Sequence, residues 1–155
     1  MNRTIATTII ILGTLLTTPG HAQTPPCTTA AAEQAVRVAS EIVDRLGVKA
    51  AKQTITGQDA RFRCGISTVK VISHRGVWVI DPEDPTNVGT KVSTLRDGAA
   101  INFMNSLIRQ AIDKHGALGS YFVTDTENGK KINKALYYIN VPKRRVVVYG
   151  GFIVD

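Results

Sequence analysis

Histidine is scarce: the 155-residue chain has three, His21, His74 and His115. They form no H-E-x-x-H, and the sequence has no C-x-x-C or C-x-x-C-H, so metal, thiol-exchange and haem-attachment chemistry find no motif. G-x-S-x-G, the P-loop and the dinucleotide glycine fingerprint are missing as well. His74 falls in a turn and His115 at a helix end, where an imidazole meets the last carbonyls and the helix dipole. The chain is therefore read as not an enzyme, with no catalytic residue, cofactor or metal.

Long apolar runs are also lacking. The stretch from Thr4 to Thr18 is broken by Gly13 and several threonines and falls short of the roughly 18 apolar residues of a membrane span. With Arg3 before it, Pro19-Gly20 after it and a small-x-small end at Gly20-His21-Ala22, it has the features of a secretory signal peptide. Cleavage after Ala22 predicts export to the periplasm, and retention as an anchor is the weaker reading. The expected organisation is a signal peptide over 1–22 and one domain over 23–155, with no stable membrane span.

Cysteine is limited to Cys27 and Cys64. In an oxidising compartment they are expected to form a disulfide, which would stabilise the fold by about 3 to 4 kcal/mol through the unfolded chain. The net charge of +7 does not define a nucleic-acid face. Its densest runs, Lys143-Arg144-Arg145 and Lys130-Lys131, sit at strand-connecting turns where solvated charge is ordinary, so no nucleic-acid partner is expected.

What is present is hydrophobic periodicity. Ala32, Val36, Ala39, Val43 and Leu46 share one helical face before a Gly47 stop. The next stretch, from Val48 to Cys64, is compatible with a helical turn, a loop or an edge strand. "ISTVKVI" and "VWVI" around "SHRG" predict a hairpin, followed by a long loop through Pro82, Pro85, Gly89 and Gly98 of the kind that covers binding sites. A second helix is predicted over about 99–115, with Ile101, Met104, Ile108, Ala111 and Ile112 on its apolar face. Three strands follow: "LGSYFVTD", "INKALYYINV" and "RVVVYGGFIV". This order predicts an α+β fold, a five-stranded antiparallel sheet covered by a long N-terminal helix and a second helix.

Lys134 leads into the apolar strand "ALYYI", with Tyr137 three residues on and Tyr121 on the preceding strand. A lysine beside two phenols can fix a small carboxylate in a largely apolar pocket. It can equally be a strand lysine extending to water over core tyrosines.

These elements resemble the single Cache domain, type 2, an extracytoplasmic PAS-like sensor module, from about Ile66 to Asp155. The likeness rests on Gly76 with "VWVI", Asp81-Pro82, "GTK" from Gly89, Asp97-Gly98, "HGALGSYFV", Lys134 with Tyr137, and the ending Gly151, Ile153 and Asp155. The family's Ser-Tyr position falls on Tyr121 or Phe122. The sequence departs from the family pattern where Asp81 stands for a histidine, Arg144 and Val146 for two tryptophans, and Ile153 for a tyrosine, which puts aliphatic groups where aromatic pocket walls are expected.

The resemblance implies a domain that binds a small metabolite, often a short carboxylate, through Lys134, Tyr121 and Tyr137, with Trp78 on the first hairpin as a further candidate. It also implies signalling through a membrane receptor or sensor kinase, because the chain stops where a receptor's membrane helix would follow. The alternative is a Cache-fold interaction protein without a ligand, docking on a membrane sensor.

Overall fold

Thr28 opens the first helix, α1 (Thr29–Leu46), by accepting a hydrogen bond from the Ala31 N–H, and Gly47 closes it at φ 80° with its N–H donating to the Val43 carbonyl. Such a cap favours glycine because a Cβ disfavours positive φ. Among the described residues, those of a computed structural model covering 27–57, 59–65, 67–127 and 130–153, α1 buries Ala32, Ala35, Val36, Ala39, Ile42 and Val43. Leu46, expected on that face, is exposed instead, because the chain turns away at Gly47. The leader read at Met1–Ala22 and Asp155 of the family-like ending lie outside the described residues.

The ambiguous stretch resolves into a short helix, α2 (Val48–Thr56), which buries only Ala51 and Ile55. A two-stranded ribbon follows, of β1 (Arg63–Cys64) and β2 (Ser67–Thr68). The Cys27–Cys64 disulfide is formed and ties this ribbon to the start of α1.

The expected hairpin is β3 (Lys70–Ser73) with β4 (Trp78–Ile80), turning through Gly76 at φ 72°. Beyond the helix α3 (Gly98–Asp113) come β5 (Gly119–Glu127), β6 (Lys130–Val141) and β7 (Val146–Ile153). All pairings are antiparallel, in the order β4-β3-β7-β6-β5. The sheet is thus the expected one: each sequence group stays together, and β3 and β7 join the groups.

Each face of the sheet carries its own core. On one side α1 and α2 pack over Val71, Ile80, Ala135, Tyr137, Ile139 and Val148. On the other, α3 packs over Ile72, Trp78, Tyr138, Val147 and Tyr149. Alternation along a strand produces this division. A bulge in the β3–β4 pairing, which sets Val71 opposite Ile80 but Ile72 opposite Trp78, sends Trp78 to the α3 face and Ile80 to the α1 face.

The positions where the family's tryptophans were expected have structural roles. Val146 is buried beneath α1. The Arg144 guanidinium donates to the Asp44 carbonyl at 2.8 and 3.1 Å, placing a cation at the end of α1 where the helix dipole favours it.

Candidate functional site

α3 and the β5–β6 hairpin diverge enough to leave a cavity of about 260 Å³, lined by Phe103, Ser106, Leu107, Gln110, Tyr121, Leu136 and Tyr138. The residues come from two periodicities. Positions 103, 106, 107 and 110 recur every three to four residues on one side of α3, while Leu136 and Tyr138 share a face of β6. Tyr121 stands opposite Leu136 in the register. Its ring meets Phe103 with centroids 5.8 Å apart, forming an aromatic wall at one end.

The other end is polar. The Tyr138 hydroxyl donates to Gln110 Oε1 at 3.1 Å, and Gln110 Nε2 donates to Ser106 Oγ at 3.0 Å. Burial raises the Tyr138 phenol above its ordinary range, so it remains a protonated donor at neutral pH. Gly119 makes this arrangement possible, because the Tyr138 ring lies across it and a Cβ there would collide with the ring.

The four residues singled out in the sequence do not converge. Tyr121 lines the cavity. Lys134, half-buried and paired in register with Val123 and Ile153, lies two residues from Leu136 on the same face of β6, and is not one of the seven lining residues. Tyr137 is separated from both: being three residues from Lys134 on a strand, it faces α1, where it is 5 % exposed and meets the Phe122 ring edge-on. Burial, then the Glu33 carboxylate on α1, raise its phenol. Lys134 and Tyr137, taken together in the sequence, thus lie on opposite faces of β6, as the strand period dictates.

Trp78 faces the cavity side of the sheet but is buried in the core, its Nε1 donating to the Tyr149 hydroxyl at 2.9 Å. The long loop is also placed differently from expectation: it contributes no lining residue. Asp81, 2 % exposed, starts it by accepting from the Asp84 N–H and the Asn87 amide and pairing with Lys70 at 3.2 Å. Glu83 pairs with Lys70 at 2.8 Å and accepts from the Thr68 N–H. Burial pulls the Lys70 ammonium down, but Glu83 and Asp81 together hold it above its ordinary value. The loop then buries Val92 in the second core. His74 is likewise anchored, its Nε2 donating to Asn140 Oδ1 at 2.7 Å.

Sequence reasoning missed Ser106, Gln110 and Tyr138. A signal was available: Ser106 and Gln110 are four apart on a helix, and Tyr138 shares the parity of Lys134.

No protein-family model and no curated protein matches the sequence. Solved structures do. A Cache chemosensory domain described for its carboxylic acid recognition superposes with a TM-score of 0.55 at 16% identity, covering 81% of this chain and 88% of that one. The periplasmic sensor domain of a chemotaxis protein superposes equally well, TM-score 0.55, at 19% identity over 81% of this chain and 90% of its own.

The chain has the Cache fold. Its α+β sheet with helices on both faces is the fold of those two domains. No helix among the described residues of this Cache fold is long and apolar enough to cross a membrane.

Proposed function

We propose that this chain is a periplasmic sensor domain that binds a short organic acid in the cavity between α3 and the β5–β6 hairpin and signals through a membrane receptor or sensor kinase. The observation that carries the reading is the cavity itself, a concave site of mixed aromatic, aliphatic and amide character, with Lys134 two residues from its lining Leu136 on the same face of β6. Its seven lining residues carry no formal charge, so an ammonium on that face is the natural partner of a carboxylate. The structural neighbour that recognises carboxylic acids supports the ligand class. The Cys27–Cys64 bridge supports an oxidising compartment, and with it the leader read over 1–22 and a domain over 23–155. Tyr121 is the aromatic contact in this reading, and Tyr137 and Trp78 support the sheet from within the cores.

The test is a thermal-shift series with acetate, propionate, butanoate and pentanoate. A ligand at a hundred times its Kd should stabilise the protein by about 2.7 kcal/mol, a rise of several degrees in Tm. Lys134→Ala should abolish the rise while the unliganded protein still melts cooperatively. A flat response to every acid would instead favour a Cache-fold protein that docks on a membrane sensor without a ligand.

A further inference from the structure

The polar end of the cavity is more specific than a carboxylate site requires. Along β6, Lys134, Leu136 and Tyr138 succeed one another on one face at about 7 Å per step, so an ammonium, an apolar middle and a phenol stand in line. α3 repeats the sequence from the other side, with Phe103 and Leu107 opposite the apolar middle and Gln110 against Tyr138. A saturated acid anchored at Lys134 would satisfy the first two and leave the third facing a methyl group.

The hydrogen-bond directions at that end determine what it can accept. Tyr138 gives its only proton to Gln110 Oε1, which fixes the amide with its nitrogen turned to Ser106. Gln110 Nε2 has two hydrogens and uses one on Ser106 Oγ; the Ser106 hydroxyl accepts there and keeps its own proton. An amide N–H and a hydroxyl O–H are thereby presented together by side chains one helical turn apart. We propose that Ser106 and Gln110 read an uncharged hydrogen-bond acceptor, a carbonyl or hydroxyl oxygen, on the distal end of the ligand, with Tyr138 as the positioning residue that sets the amide's orientation.

The ligand class this assigns is a short monocarboxylate bearing an oxo or hydroxy group several carbons from its carboxylate. A cavity of about 260 Å³, at the small end of ligand sites, suits a ligand of that size. The inference rests on the cavity being the ligand site, and it narrows the organic acid proposed above.

Isothermal titration of the full chain with pentanoate and with levulinate, its keto analogue, tests it. The wild type should bind levulinate about fivefold more tightly, the factor a single net hydrogen bond confers in a solvent-accessible cavity. Gln110→Leu and Ser106→Ala should bring that ratio towards one. Tyr138→Phe keeps the ring over Gly119 and should lower the ratio by releasing the amide. Ser106 is an exposed residue of α3, so Ser106→Ala gives a folded variant even if the others do not. Equal wild-type affinity for the two acids, or a ratio unmoved in Ser106→Ala and Gln110→Leu, overturns the inference and leaves the cavity reading intact. Binding of neither acid overturns the cavity reading, and this inference with it.

Discussion

Gly119 has no side chain, yet it determines where the most polar part of the cavity lies. The Tyr138 ring occupies the space a Cβ would need, and only from there does its hydroxyl reach Gln110. Gly119→Ala should push the ring aside, break the contact with Gln110 and destabilise the fold by about 1 to 3 kcal/mol, the usual cost of overpacking. Urea denaturation measures the loss, and an unchanged midpoint would mean that the ring has room elsewhere. The residue scale is also where the sequence was least legible. Lys134 and Tyr137 stand close in the chain, and a family motif joins them, but a strand sends residues three apart to opposite faces. The polar triad was hidden for a different reason: Ser106 and Gln110 look like the solvated side of an amphipathic helix until β6 is packed beside it.

At the scale of elements, legibility followed the strength of the local pattern. α1, α3 and the strands β6 and β7 have enough buried positions to read, and all five strands of the large sheet were legible in the sequence. α2 buries only two residues, four apart, too few for the sequence to separate a helix from a loop or an edge strand. The long loop was visible as a loop, but its position depends on Lys70, Asp81 and Glu83 meeting across the β3–β4 hairpin, contacts no local rule encodes. The β1–β2 ribbon is too short to be stable alone, and the Cys27–Cys64 bridge holds it against α1. Replacing both cysteines with serine should cost about 2 to 4 kcal/mol in equilibrium unfolding. A loss well under 1 kcal/mol would show that packing of Phe62 and Val69, both fully buried, secures the ribbon without the bridge.

At the scale of the whole molecule, two groups predict where stability ends at high pH. Burial pushes the Tyr149 phenol up from 10.0 to about 12, partly offset by the hydrogen bond it receives from Trp78. Lys70 is also raised, since Glu83 and Asp81 outweigh its burial. A group whose folded value is raised contributes stability that is fully present below its unfolded value and is lost as pH climbs through the folded one. Stability should therefore hold to about pH 10 and fall between pH 10 and about 12, with Tyr149 alone accounting for about 2 to 3 kcal/mol. Tyr149→Phe should flatten that decline, at a neutral-pH cost of about 1 to 3 kcal/mol for leaving the buried Trp78 N–H unpartnered. Urea midpoints measured from pH 7 to 12 check both. An equally steep decline in the variant would assign it to other groups.

The two cores lie back to back on the same strands, and β6 gives alternate residues to each: Leu136 and Tyr138 to one, Tyr137 and Ile139 to the other. Neither core can come apart without uncovering the reverse side of the other. The domain should accordingly melt as one cooperative unit, with fluorescence of Trp78 on one face and helix signal from α1 on the opposite face lost at a single temperature. A small molecule held on one side would then raise the melting point of the entire chain, α1 included, although α1 never touches it.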